Sequence, residues 1–203
     1  MYKSLPYFIL AFHGCDESIK QKVLISQERL KISKNDYDWL GHGIYFWESD
    51  PIRALEYAQL LKKYPERSSG KIAYPAVIGA VIDLGRCLNL VESYSLRIVR
   101  EAYNNLEDEM KKYNKEMPKN HPIETEGDLL IRRLDCLVFE YLHKNKSENE
   151  PFDSVRGVFW EGNELYPNAG FKEKNHIQIC VRNPNCIKGY FDPLEPLIEY
   201  PIP

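Results

Sequence analysis

Three short segments place polar groups among apolar neighbours: Phe12-His13-Gly14, Leu40-Gly41-His42-Gly43-Ile44-Tyr45-Phe46, and His176-Ile177-Gln178-Ile179. A buried polar side chain is costly unless something bonds to it. An imidazole, a phenol and a carboxamide set into strands or strand ends therefore suit a site for a polar ligand. Each residue alone also fits a structural role, satisfied by backbone. Other chemistries find less support. Cys15, two residues from His13, could be a thiol nucleophile only with a nearby base and a lowered pKa. The five histidines are scattered, and no two cysteines have the short spacing of a zinc or redox motif, so no metal is expected. Gly41-His42-Gly43 lacks both the Gly-x-x-x-x-Gly-Lys phosphate loop and the dinucleotide fingerprint.

Composition narrows the class. The chain has 203 residues, 43% of them hydrophobic and 12% aromatic, which fits one domain with a real core. A net charge of -3 argues against a protein that grips nucleic acid mainly through phosphates. The five cysteines, Cys15, Cys87, Cys136, Cys180 and Cys186, are odd in number and read as free thiols in a reducing cytoplasm. No basic leader with a long apolar run is visible, and Tyr7–Phe12 is too short to span a bilayer. The expectation is a cytoplasmic protein with no membrane contact.

The elements that must position the polar groups follow from pattern. Tyr7–Phe12 is a short apolar run and predicts a buried strand ending at His13-Gly14. Asp16 then caps a short helix through Leu24. Asp38–Gly43 predicts a tight turn, and Ile44-Tyr45-Phe46-Trp47 another strand. Ser49-Asp50-Pro51 is a helix start, followed by Ile52, Leu55, Tyr57, Ala58 and Leu61 at helical spacing to about Lys63. Tyr74–Leu84 predicts a long strand. Helices are expected from Glu92 to Lys115 and from Thr125 to His143, with a Pro-, Lys- and Asn-rich loop between them. Strands are expected at Ser154–Trp160, His176–Val181 and Ile187–Phe191, and an extended Pro-rich C-terminus. The sum is a single α+β domain, 1–203, with a helical insertion over about 92–145.

The strand–His–Gly start, the Gly-x-Gly-Ile-Tyr-Phe turn about thirty residues on, and the Ala54-x-x-Tyr57-Ala58 helix together resemble the diphtheria-toxin-like, His-Tyr-Glu type ADP-ribosyltransferases, including smaller bacterial PARP-like relatives. The resemblance covers about residues 7–60. It implies a split antiparallel β-sheet core, NAD+ as substrate, and cleavage of the nicotinamide–ribose bond. His13 would bond a hydroxyl of the adenosine ribose. Gly14 would hold the nicotinamide carboxamide through its backbone, since glycine permits close approach. Tyr45 would stack on the nicotinamide ring, with Tyr57 as a second wall. Gly41 and Gly43 would shape the turn presenting Tyr45, and Arg156 would suit the pyrophosphate.

The departure lies at the third position, where the strand resembling the one that carries the family's glutamate holds Gln178. Cleavage builds positive charge on the ribose, an oxocarbenium-like state that a carboxylate stabilises. Glutamine keeps the hydrogen bond and loses the charge. Three outcomes follow: single ADP-ribose transfer using Gln178, a role for another acid, with Glu161 first and Glu164 behind it, or NAD+ binding without turnover. His176 flanks Gln178 and is expected on the other side of the strand, outside the site. His42 is expected as an exposed turn residue. The acceptor would be a protein or nucleic acid. A toxin or phage-defence role is analogy with the family. Two alternatives stand beside the transferase: a non-catalytic NAD+ or ADP-ribose binding module, and an RNA 2'-phosphotransferase relative, which would carry more Arg and Lys around its site.

Overall fold

The structure, a computed structural model, describes residues 8–67, 70–123, 126–145 and 151–194. In chain order the elements are β1 (Phe8–Asp16), α1 (Glu17–Leu24), β2 (Ile44–Glu48), α2 (Pro51–Lys63), β3 (Pro75–Asp83), β4 (Cys87–Asn89), α3 (Ser93–Lys112), β5 (Asn120–His121), β6 (Ile131–Arg132), α4 (Arg133–Asn145), β7 (Ser154–Phe159), β8 (His176–Val181) and β9 (Ile187–Phe191). The fold is mixed α+β. Seven strands form one sheet in the order β4-β7-β8-β2-β1-β3-β9. Its pairs are antiparallel except β4–β7. β5 and β6 make a separate small ladder.

Alternation along the strands gives the sheet two apolar faces. Ala11, Cys15, Ile44, Phe46, Ile78, Ile82, Ile179 and Val181 pack with Val23 of α1 on one face. On the other, Leu88, Val155, Phe159 and Cys180 pack with α3 and α4 through Leu106, Val138, Phe139 and Leu142. Phe12 and Trp47 of that face meet Ala54 of α2. The helical middle is thus a covering layer of the sheet.

Local sequence signals set several boundaries. The Asp16 carboxylate accepts from the Ser18 N–H at 3.0 Å and caps α1. Asp50 accepts from the Arg53 N–H at 2.9 Å and, with Pro51 in the first turn, starts α2. Two expectations need correction. β1 does not stop at His13-Gly14 but continues to Asp16, because it stays paired with β3 from Phe8–Asp83 to Asp16–Pro75. The last helix begins at Arg133 rather than in the region of Thr125, a residue outside those described. The Asn120 side-chain oxygen accepts from Leu134 N–H at 2.9 Å and Asp135 N–H at 3.2 Å, capping the helix there. Ile131 and Arg132 are drawn into β6 instead, and the Leu130 carbonyl accepts from Trp39 Nε1 at 2.9 Å. Tyr7 and the Pro-rich C-terminus from 195 onward lie outside the described residues.

Candidate functional site

The centre of the sheet opens between β1 and β2. Their ladder holds only Ala11–Glu48 and Phe12–Trp47, with the Ser49 N–H also donating to the Leu10 carbonyl at 3.0 Å. In an antiparallel ladder every second residue exchanges bonds with the same neighbour. Continuing this register would pair Gly14 with Tyr45. That pair is not formed. The Tyr45 carbonyl instead accepts from His13 Nδ1 at 2.7 Å. A carbonyl can only accept, so Nδ1 carries the proton and Nε2 is left as an acceptor. Burial lowers the His13 pKa, which favours this neutral form. Beyond the opening β1 follows β3, and β2 follows β8 from Trp47–Gln178 to Ile44–Val181. Gly14 is the first β1 residue outside the β2 ladder whose N–H and C=O face that side.

Glycine is required at 14 for packing alone, since a Cβ would lie 2.0 Å from the Ala54 carbonyl oxygen of α2. Gly41 has φ +78°, in the left-handed region. At Gly43 a Cβ would lie 2.3 Å from Cys180 Sγ, so β2 and β8 can meet only without it. The Tyr45 hydroxyl accepts from the Leu40 N–H at 2.8 Å and donates to the Gly41 carbonyl at 2.6 Å. It therefore locks the preceding turn, and burial holds it as a phenol. Glu140 of α4 secures the same turn from outside. It accepts from the His42 N–H at 2.8 Å and from Arg182 at 2.6 Å, and lies 3.2 Å from His42 Nδ1. His42 is thus a tied turn residue.

Gln178 lies opposite Trp47 on β2 and Gly157 on β7 and is 9% exposed. By register it shares the α2 face with Tyr45 and Trp47. His13, between Ala11 and Cys15, belongs to the α1 face, where its ring is 5.7 Å from Phe46. The structure therefore joins His13 to Tyr45 directly, while His13 and Gln178 flank the opening from opposite faces. Tyr57 of α2 packs on Trp47, ring centroids 5.0 Å apart. Burial of its hydroxyl end, helped by the charge of nearby Asp38 and Glu161, pushes its pKa to about 12. Glu161 lies 3.1 Å from Arg53 of α2. Burial raises the Glu161 pKa against the pull of Arg53.

Other candidates are brought elsewhere. Arg156 lies on the α1 face, where both Glu48 oxygens hold it at 2.6 and 2.8 Å, with Asn89 at 3.2 Å. Glu164 is exposed and accepts from the Asn168 N–H at 2.8 Å within its own loop. Cys15 is buried, which pushes its thiol up to about 11, far from a thiolate at neutral pH. Among the described residues no group of three or more His, Cys, Asp or Glu could hold a metal ion.

Sequence reasoning missed three positions. His176 lies two residues from Gln178, and side chains two apart in a strand return to the same face. It therefore shares the α2 face, against the expectation, and is 7% exposed among Trp39, Trp47 and Phe159. Asp38 is buried and accepts from Ser33 Oγ at 2.8 Å and the Asn35 N–H at 3.1 Å. Arg53 meets Glu161 across a separation of 108 residues, which no local pattern announces.

No family model matches the chain. No solved structure matches it. It is similar to an uncharacterized protein of Methanocaldococcus jannaschii. The two are 27% identical over 196 residues, which covers 87% of this chain and 83% of that protein.

Proposed function

We propose that the opening between β1 and β2 is an NAD+ site of the ADP-ribosyltransferase type, in a split-sheet fold of that kind, and that the protein transfers single ADP-ribose units to a macromolecular acceptor. The observation that carries this reading is the His13–Tyr45 contact, which ends the β1–β2 ladder one pair before Gly14. A primary carboxamide needs one donor and one acceptor side by side, and a strand residue outside its ladder offers both. His13 Nε2 would accept from the adenosine ribose, and Tyr45 and Tyr57 would wall the nicotinamide.

The nicotinamide–ribose bond then breaks toward an oxocarbenium-like ribose, and Gln178 bonds the 2'-hydroxyl without adding charge. Gly43 shapes the turn behind Tyr45. Glu161 is the second choice for the stabilising acid, since Arg53 already neutralises it. Arg156 can serve the pyrophosphate only if it exchanges Glu48 for phosphate.

A second reading, an NAD+-binding module without turnover, is favoured by Gln178 standing where a carboxylate would stabilise the ribose cation. The RNA 2'-phosphotransferase reading fits poorly with a net charge of -3. A cytoplasmic location is supported by five free cysteines. Among the described residues no helix is long and apolar enough to cross a membrane.

The test is incubation with NAD+ labelled in the adenylate, with and without cell lysate, following nicotinamide release and label transfer. Release with transfer to macromolecules is expected. Intact NAD+ bound but not cleaved would replace the transferase with the binding module.

A further inference from the structure

Among the described residues three buried nitrogens near the Gln178 strand lack hydrogen-bond partners: Trp47 Nε1 and His176 Nε2, which flank Gln178, and Arg53 Nε. Orphaned buried polar atoms are rare, because each gives up its bonds to water without replacement. Here they share one end of the sheet's α2 face. The Trp47 and His176 rings are 6.5 Å apart, and Arg53, at the start of α2, acts electrostatically on His176. The His176 ring is also fixed in orientation. Its Nδ1 lies 2.8 Å from the Lys174 carbonyl, so Nδ1 holds the proton and Nε2 presents a lone pair. A base oriented by a bond to its other nitrogen is the arrangement used in proton abstraction.

We propose that this end of the α2 face is the acceptor subsite, that it takes a hydroxyl group, and that His176 Nε2 removes the hydroxyl proton while Trp47 Nε1 and Arg53 Nε donate to the oxygen. The proposal rests on the transferase reading. In the step, the acceptor oxygen bonds to C1' of the nicotinamide ribose. The C1'–nitrogen bond breaks and its electron pair neutralises the pyridinium, releasing nicotinamide. The hydroxyl proton passes to His176 Nε2, and the imidazolium later returns it to water.

The charges facing His176 are Asp50, which caps α2, Arg53 of α2 and Arg132 of β6, with Glu161 paired to Arg53. Arg132 stacks over Trp39 at 4.0 Å and Phe159 at 4.9 Å. Positive and negative groups nearly balance, which suits a neutral hydroxyl better than a phosphate. Tyr57, 39% exposed and lying on Trp47, separates this subsite from solvent. Gln178 cannot act as a base, so this assignment supplies the proton acceptor that the glutamine lacks.

Methanol is the probe. The full chain is incubated with NAD+ in aqueous methanol, and the ratio of methyl ADP-ribose to ADP-ribose is measured. This ratio does not depend on how much protein is folded, so a merely structural defect lowers both products and leaves it unchanged. His176→Gln is expected to lower the ratio by about tenfold or more, and Trp47→Phe by a smaller factor. The wild-type ratio is expected to fall at acid pH as Nε2 becomes protonated. If His176→Gln yields no folded protein, Trp47→Phe and the pH profile decide. Nicotinamide release with an unchanged ratio in the variants would overturn the subsite and leave the transferase standing. No release from the wild type would overturn both.

Discussion

His13 Nδ1 stands 2.7 Å from the Tyr45 carbonyl oxygen, and the β1–β2 ladder stops one pair short of where these strands would otherwise continue. A side chain has taken a backbone acceptor, and the sheet opens there. Removing the imidazole should let the strands close. In His13→Ala the Gly14 amide is expected to exchange more slowly with solvent as it gains Tyr45 as a partner. NAD+ affinity should fall by about fivefold to tenfold, the worth of one hydrogen bond. Hydrogen exchange and calorimetry check both. Unchanged exchange at Gly14 would show that the opening does not depend on His13.

Gly14 itself is a poor place to probe chemistry. A Cβ there would lie 2.0 Å from the Ala54 carbonyl oxygen. Gly14→Ala is expected to destabilise the fold by about 3 kcal/mol, the upper range of overpacking, in urea unfolding. Wild-type stability would contradict the seating of α2 against β1.

Tyr45 has separable parts. Tyr45→Phe keeps the ring but orphans the Leu40 N–H and the Gly41 carbonyl. A stability loss of about 1–3 kcal/mol is expected, with nicotinamide release reduced less than in Tyr45→Ala. Thermal unfolding and the release assay, run on both variants, separate the turn-locking hydroxyl from the stacking ring.

The glutamine offers a gain-of-function test. Gln178→Glu should raise nicotinamide release by about 10²-fold, the scale of one electrostatic group in an active site. Glu161→Gln should change it little, because Arg53 offsets that charge. No gain in the first and loss in the second would transfer the role to Glu161.

Burial lowers the His13 pKa below its usual 6.5. The unfolded chain then binds a proton more readily than the folded one. The His13 contribution to stability is therefore full above pH 6.5 and is lost as pH falls through the folded pKa. Buried Asp38 and half-buried Glu161, with raised pKa values, act in the opposite sense. The difference between wild type and His13→Gln isolates the histidine. Wild-type unfolding free energy should fall more steeply than the variant's between pH 7 and pH 5. Parallel curves would mean that His13 is not buried in its neutral form.

Much of this was legible in the chain. Asp16 and Asp50-Pro51 announced their helices because capping is local chemistry, and the strand carrying Tyr45 announced itself by its apolar run. The true extent of β1 was not legible, because its last residues are held by β3, some sixty residues away. The late start of α4 was hidden for the same reason: its cap is the side chain of Asn120, which no helical pattern marks. His176 was readable in principle, since alternation alone puts it on the Gln178 face. Its missing partner and its aromatic walls come from three separate elements and needed the fold.

The central claim is that Gly14, released from the ladder by the His13–Tyr45 contact, receives the carboxamide of NAD+. Its most direct test is the amide proton resonance of Gly14 during titration with nicotinamide, with nicotinic acid as control. A saturable downfield shift with nicotinamide, reproduced by NAD+ and absent with nicotinic acid, is the predicted result. A Gly14 amide indifferent to all three would contradict the account.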